Sequence, residues 1–168
     1  MSLRNKLFQA SFLSFVALLL MFVPTSAAEM VAGLDDLASL DFTISETVDG
    51  EKTTYRFRYD DIGTEKEVFR ADMTESDGSV LVVILKKKDR KVIVKDVDQD
   101  RWQIFPAMTF ERTWSRWVAP YVALPTERSA TWSEIAGEEF LVELEGKTLR
   151  IYDIRVDETF EESVFNPN

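Results

Sequence analysis

Acidic side chains are abundant in this 168-residue sequence, which has 30 Asp and Glu but no His and no Cys. Without histidine, Ser-His-Asp and Cys-His nucleophilic mechanisms, histidine acid–base catalysis and nearly all zinc sites are excluded. Paired carboxylates could still serve a glycosidase, but no carboxylate here stands in a distinctive constellation. We therefore expect a protein that is not an enzyme, with no cofactor and no metal site.

Two charged runs are candidate binding sites. The acidic run DVDQD, residues 96–100, resembles the opening of a calcium loop, but Arg101 and Ala107 occupy positions where an EF-hand needs Gly and Glu. A solvated turn is the simpler interpretation. The basic run KKKDRK, residues 86–91, either suppresses edge pairing of the apolar segment before it or docks an acidic partner or lipid headgroups.

A row of aromatic residues is the most distinctive pattern. Four large rings recur at helical spacing within residues 110–124, where a helix would place them in one stripe. They are Phe110, Trp114, Trp117 and Tyr121. Pro120 clashes with the carbonyl four residues earlier, so the helix should end or kink near Val118. The stripe is either part of the core or a lid over an apolar ligand.

These rings must be positioned by a fold that is mostly strand. Residues 29–40 have apolar positions at helical spacing and predict a short amphipathic helix. Residues 41–105 show alternating or short apolar runs separated by turns, which predicts about six strands in an antiparallel meander. Asp49 and Gly50 suit a type I′ turn in the first hairpin, and the continuous apolar run at 80–85 predicts a strand covered on both faces. Two or three further strands are expected after the aromatic stretch. Two of them are residues 138–146 and 147–156, and a short strand near Trp132 would be the third.

A sheet of this size curls, and its concave apolar face must be filled. The alternation assigns seven residues to that face as the walls of a hydrophobic cavity. They are Tyr55, Phe57, Tyr59, Phe69, Met73, Trp102 and Ile104. The four rings of the aromatic stripe would form the lid.

Residues 1–28 have the features of an export signal. Arg4 and Lys6 precede an apolar run at 7–23, and small residues follow it. An uncleaved anchor helix is the alternative, although the run is at the lower limit for spanning a bilayer. Cleavage would leave one domain, 29–168, and would change the net charge from −10 to −12 because two positive charges are removed. Such an acidic domain is a poor nucleic-acid binder.

The C-terminal residues 146–168 resemble the end of the LolA-like proteins, which sort lipoproteins to the outer membrane. The similarity lies in the spacing of eight residues. They are Ile151, Asp153, Arg155, Val156, Phe160, Ser163, Phe165 and Pro167. Asp157 stands where Asn is common, and Arg70 lies in a strand that resembles one of the family.

This resemblance implies an α+β fold: a mainly β, half-open β-barrel built from a curled antiparallel sheet, with a helical lid. It also implies a periplasmic location, a cavity for acyl chains, and neither catalysis nor a cofactor. The predicted function is therefore an exported carrier or chaperone for acyl chains of a lipoprotein or lipid, with envelope membrane proteins as further candidate partners. The alternative is a non-enzymatic interaction or sensor module of the envelope, with a filled cavity and a docking surface at an edge or at residues 86–91.

Overall fold

The computed structural model describes residues 34, 36–144 and 146–166, and the side chains of residues 108, 116, 117, 127 and 144 lie outside that description. Eight strands form one antiparallel sheet in the order β6-β5-β4-β3-β2-β1-β8-β7. They are β1 (Ser39–Val48), β2 (Glu51–Asp60), β3 (Val68–Thr74), β4 (Val80–Lys86), β5 (Lys91–Asp96), β6 (Arg101–Phe105), β7 (Phe140–Leu144) and β8 (Lys147–Val156).

The expected export signal over residues 1–28 lies outside the described residues. Among the helices that the structure does describe, none has the length and apolar character needed to cross a membrane.

The fold class predicted from the sequence, an α+β half-open barrel with a helical lid, is wrong. Helical structure in the described residues is confined to segments of three to five residues. The sheet is not closed, because β6 and β7 are its two edges. The helix predicted over residues 29–40 is not formed in the part of that range that the structure describes. Residues 36–38 are not helical, and β1 begins at Ser39.

Proline explains why the helical spacing after β6 does not give a long helix. Pro120 lies inside the helical run from Ala107 to Val122, and Pro106 and Pro125 lie on either side of that run; each lacks the backbone N–H that a helix interior needs. The result is a chain of short segments. They are a 3-10 turn (Ala107–Thr109), α1 (Phe110–Thr113), a π turn (Trp114–Val118), α2 (Ala119–Val122) and a second 3-10 turn (Leu124–Arg128). Segments this short are stabilised by packing rather than by helix propensity.

The six-stranded meander follows from alternation and turn chemistry. Asp49 and Gly50 both have positive φ, 52° and 85°, as the type I′ turn predicted for this hairpin requires. That turn sets the register of β1 against β2, in which Val48 lies opposite Glu51. Residues 106–137, called the insertion here, leave the sheet after β6 and return to it at β7 on the far edge.

The insertion covers one face of the sheet, called the core face. Alternate residues of β1 to β5 and β8 join buried residues of the insertion in one cluster on this face. β4 is buried on both faces, as its uninterrupted apolar run indicated. Leu81, Val83 and Leu85 belong to the core-face cluster, whereas Val82 and Ile84 belong to a smaller cluster on the opposite face.

The opposite face also carries a row of buried and half-buried ion pairs. Arg56 binds Asp41 at 2.7 Å, and Arg58 and Arg70 both bind Asp72. Burial and the neighbouring Arg70 and Arg56 lower the pKa of Arg58 to about 10. The guanidinium remains charged at neutral pH, and its position holds β2 and β3 together on this face.

The C-terminal strap, residues 157–166, crosses the opposite face. The Arg70 Nη1 donates to the Val164 carbonyl at 2.6 Å, and the Lys86 Nζ donates to the Asn166 Oδ1 at 2.7 Å. Phe165 is buried and meets Phe160 edge-on, with ring centroids 5.6 Å apart. The strap therefore packs on β3 and β4 through both apolar and polar contacts.

A hydrogen-bonded clasp joins the start of β1 to the end of β8. The Ala38 N–H donates to the Asp157 Oδ1 at 2.8 Å, and the Asp157 N–H donates to the Ser39 carbonyl at 3.0 Å. Asp157 has a φ of 55°. Because Asp and Asn adopt this left-handed conformation more readily than other non-glycine residues, both suit this position.

Candidate apolar binding site

An apolar pocket of about 30 Å³ lies between the core face and the insertion. Its walls are aromatic and aliphatic side chains from three adjacent strands, with one ring from the insertion. They are Tyr55, Phe57, Phe69, Ala71, Met73, Leu81, Val83, Leu85 and Tyr121. A pocket with these walls offers an apolar ligand surface to bury and almost no hydrogen-bonding groups.

The strand register places the walls in rows across β2, β3 and β4. Tyr55 pairs with Met73, which pairs with Leu81, and on the core face this is the last row in which β3 and β4 are paired. Tyr55 and Met73 are half-buried, whereas Leu81 is buried. The exposed flank of this row is the mouth of the pocket.

Tyr121 closes the mouth from the insertion side. Its ring is stacked on Phe57 with centroids 5.1 Å apart and lies 6.3 Å from the ring of Tyr55. Tyr121 is half-buried. Among the insertion side chains that the structure describes, this ring alone lies both in the pocket wall and at its opening.

Trp114 packs at the other end of the pocket. Its ring centroid is 5.4 Å from that of Tyr59 and 6.4 Å from that of Phe69. Between Trp114 and Tyr121, the π turn at Trp114–Val118 changes the helical spacing on which the predicted stripe depends. As a result the aromatic residues reach different rows of the sheet.

The insertion is anchored beyond the pocket by Trp132. This side chain is fully buried, its Nε1 donates to the Val122 carbonyl at 2.8 Å, and its ring lies 4.4 Å from Phe42 on β1. Val122, Leu124 and Ile135 are buried around it. The short strand predicted near Trp132 is not formed, because residues 132–137 are turns.

The structure brings together only part of the predicted cavity wall. Tyr55, Phe57, Phe69 and Met73 line the pocket, and Tyr59 lies beside it in the same cluster. Trp102 and Ile104 instead lie on the opposite face, because their partners on β5 are Lys95 and Ile93. Their assignment to the predicted wall is wrong: Trp102 packs against the opposite-face cluster and Ile104 is exposed.

Alternation could not fix the face of β6, because apolar residues occur on both of its sides. Phe105 packs against the core-face cluster while its neighbour Ile104 is 66% exposed. Of the predicted lid, Phe110 is a buried core residue, Tyr121 is half-buried at the mouth of the pocket, and Trp114 is half-buried at the other end without lining it. The side chain of Trp117 lies outside the description.

Carboxylates surround the mouth at the next row along the core face. The Tyr55 hydroxyl donates to the Glu46 Oε1 at 2.9 Å, and the Glu46 Oε2 accepts from the Lys147 Nζ at 3.0 Å. Burial, followed by Glu46, raises the pKa of Tyr55. Burial, followed by Asp77, raises the pKa of Glu75. Both shifts are those expected of groups in a partly desolvated, negatively charged environment.

The opposite end of the core face is closed by a paired carboxylate. Glu67 binds Lys87 at 3.0 Å and accepts a hydrogen bond from the backbone N–H of Gly63. Burial and the hydrogen bond to Glu67 raise the pKa of Tyr59. Because Lys87 balances Glu67, this end lacks the excess of carboxylates that is found at the mouth.

The two charged runs have structural roles within the fold. In residues 96–100, Asp96 is buried and accepts from the Gln99 N–H at 3.1 Å, and Asp100 pairs with Lys95. No group of three or more carboxylates among the described residues could hold a metal ion. Residues 86–91 make contacts within the chain, including Lys86 with Asn166 and Arg90 with Glu111. They follow a central strand, so they do not protect a sheet edge.

Sequence reasoning missed four wall residues, Ala71, Leu81, Val83 and Leu85, and the anchor. Leu81, Val83 and Leu85 lie in a continuous apolar run, which carries no signal for which face each residue takes. Trp132 is isolated between polar residues, and only its size indicated that it would be buried.

Searches against protein-family models, curated proteins and solved structures found no match to this chain. The resemblance to the LolA-like proteins therefore stays a prediction from the C-terminal residues and the order of elements.

Proposed function

We propose that this protein is a non-catalytic binding protein for an apolar chain, which it takes up between β2, β3 and β4 and the ring of Tyr121. The observation that carries the proposal is the apolar pocket with a half-buried aromatic ring at its mouth. Acyl chains are the ligand class that fits such walls, and export to a periplasm is the location predicted from residues 1–28.

The size of the pocket sets a condition on binding. About 30 Å³ exceeds the space that one water molecule needs, whereas a cavity of roughly 150 Å³ is known to hold benzene. An apolar chain can enter only if a wall residue moves. Tyr121 is the residue best placed to move, because its ring lies at the opening while its neighbour Val122 is held by the anchor at Trp132.

The stacking contacts that Tyr121 would lose by moving are similar in size to the burial that a short apolar chain would gain. Rotation of Tyr121 would break its stacking on Phe57 and Tyr55, and each aromatic pair contributes about 0.5–1.5 kcal/mol. Burial of each methylene of a ligand contributes roughly 0.8 kcal/mol in return. A chain that buries about four methylenes therefore offsets the lost ring contacts.

The test is a fluorescence titration of the purified protein with N-phenyl-1-naphthylamine, an uncharged dye that brightens in apolar surroundings, followed by displacement with 1-dodecanol. We expect saturable binding that dodecanol reverses. Ala71→Phe should abolish it, because the added ring fills the pocket that Ala71 lines. Leu141→Ala is the matched control, since Leu141 is 66% exposed on edge strand β7 and should leave binding unchanged.

A folded wild-type protein that binds no dye would reject this proposal. It would favour a second candidate, an interaction module of the envelope with a filled core, which the small volume of the pocket supports. Mass spectrometry of an organic extract of the exported protein adds an independent readout. A stoichiometric lipid or acylated peptide, lost in Ala71→Phe, supports ligand binding.

A further inference from the structure

The polar end of the ligand can be inferred from the side chains around the mouth. Glu46 lies opposite Thr53, one row beyond the pairing of Ile44 with Tyr55. Glu75 follows the last residue of β3, and alternation places it on the same side as Met73. Two carboxyl groups thus extend the core face directly beyond the row that forms the mouth.

A third carboxyl group completes this acidic rim, which we define as Glu46, Glu75 and Asp96. Asp96 lies opposite Leu81 on β5 and is buried, with its carboxylate accepting from the Gln99 N–H. Lys147 pairs with Glu46, and Arg101 lies opposite Asp96 on β6, so Glu75 is the member of the rim without a basic residue opposite it. Nearby Asp77 and Glu51 add negative charge, since both act electrostatically on Glu75.

The charge of the rim differs from that of a site built for fatty acids or phospholipids. An anionic head group at the mouth would lie close to carboxylates in a partly desolvated position, where like charges repel more strongly than in bulk water. A cation at the same place would gain a partner in Glu75. Burial raises the pKa of Glu75 first, and the nearby carboxylates of Asp77 and Glu51 raise it further, as negative charges close to this group should.

We infer that the apolar ligand of this pocket carries a positively charged polar end, and that chains ending in a carboxylate or phosphate bind poorly. This inference rests on the proposed function, because it assigns the head group of a ligand whose chain occupies the same pocket. The uncharged Tyr55 hydroxyl, which donates to Glu46, leaves the polar end facing carboxylates rather than hydrogen-bond donors.

Three probes with the same dodecyl chain test the assignment: dodecylamine, 1-dodecanol and dodecanoate. Each probe is titrated against the wild-type protein loaded with N-phenyl-1-naphthylamine at neutral pH, and the concentration of the probe stays below the one at which it forms micelles. We expect the amine to bind on the order of tenfold more tightly than the carboxylate, with the alcohol between them. The ratio should shrink in high salt, because the rim is partly exposed and its field is screened.

Substitutions distinguish the effect of the acidic rim on head-group preference from the effect of the net negative charge of the chain. Glu75→Gln and Glu46→Gln should each lower the amine-to-carboxylate ratio several-fold, with little change for dodecanol. Glu161→Gln changes the net charge equally but lies in the strap on the opposite face, so it should leave the ratio unaltered.

The possible failures can be told apart. Equal binding of the three probes, or tighter binding of dodecanoate, overturns the head-group inference and leaves the proposed function standing. A change in the ratio with Glu161→Gln equal to that with Glu75→Gln also overturns it, because net charge would then be the cause. Failure of all three probes and of the dye overturns the proposed function itself.

Discussion

Two regions of the insertion hold an aromatic ring against the sheet in different ways. Around Trp132, the anchor region, the ring is fully buried, its only donor is satisfied by the Val122 carbonyl, and Leu124 and Ile135 are buried beside it. Around Tyr121, the mouth region, the ring is half-buried and its neighbours Tyr55 and Met73 are half-buried too. The same segment therefore combines a fixed attachment with an adaptable surface.

The difference shows how one short insertion can both stabilise the fold and offer a surface that a ligand can contact. A fully buried ring with a satisfied donor contributes much to stability and has no freedom to move. A half-buried ring loses less when it moves and can exchange its contacts for those of a ligand. We expect the anchor region to determine stability and the mouth region to determine binding.

Trp132→Ala should have the largest effect. Removing a fully buried tryptophan costs about 3–5 kcal/mol of the free energy of unfolding, because a cavity remains in the core. Urea denaturation followed by circular dichroism measures this loss. Trp132→Phe keeps most of the volume and should cost less, mainly about 1–3 kcal/mol for the Val122 carbonyl left without its donor. A loss below about 1 kcal/mol for Trp132→Ala would show that this ring is not the anchor.

Leu124→Ala and Tyr121→Ala compare the two regions directly, three positions apart. Leu124 is 1% exposed, so its truncation should cost about 2–5 kcal/mol. Tyr121→Ala should cost about 1–3 kcal/mol, the value of two aromatic contacts, and should tighten dye binding because the mouth is opened. Denaturation and dye titration on the same samples give both quantities. Equal losses of stability would remove the distinction between anchor and mouth.

Tyr55→Phe sharpens the comparison within the mouth. Loss of the hydroxyl that donates to the Glu46 carboxylate should cost about 1.5–3 kcal/mol at neutral pH. Burial and Glu46 raise the pKa of Tyr55, so the fold favours the neutral phenol. The stability from this group is therefore present below the ordinary tyrosine value of 10.0 and is lost as the pH rises through the higher folded value. The difference in the free energy of unfolding between the wild type and Tyr55→Phe should therefore become smaller in urea denaturation at alkaline pH. A difference that grows there would contradict this explanation.

Glu75→Gln should have the smallest effect on stability, and its sign depends on pH. Burial raises the pKa of Glu75, so the folded protein favours the protonated carboxyl. The ionised group is slightly destabilising at neutral pH, and the substitution should raise the melting temperature a little. The gain should vanish below the ordinary glutamate value of 4.5, where Glu75 is protonated in both states. Thermal melts at neutral and acid pH test this, and a gain that persists in acid would exclude burial of the charge as its cause.

The sequence predicted the strands better than the class of the fold. Period-two alternation located β2 and β3, and the Asp49-Gly50 turn was correct because both residues adopt positive φ. The predicted α+β half-barrel was wrong because the sheet is open and the helical structure is limited to short segments. Pro120 lies inside the helical run after β6, and segments of different helix type follow one another there in place of one long α-helix.

The candidate site was only partly within reach of sequence reasoning. Tyr55, Phe57, Phe69 and Met73 alternate cleanly with polar residues, so their common face could be read directly. The alternation did not show which face Trp102 and Ile104 take, because β6 has apolar residues on both sides. The acidic rim depends on the register between residues far apart in the chain, such as Glu46 and Glu75, which no local pattern records.

The clasp at Asp157 has a mechanical consequence. Because β1 and β8 are antiparallel and Leu40 lies opposite Val156, opposed tension at residues 38 and 157 acts on the same corner of the sheet. The load falls first on the bonds between Asp157 and the start of β1, then on one rung of the ladder after another. Strands loaded in this geometry peel apart at low force, whereas strands pulled lengthwise past each other share the load among many bonds. In a pulling experiment attached at these two residues, the sheet should open from this corner.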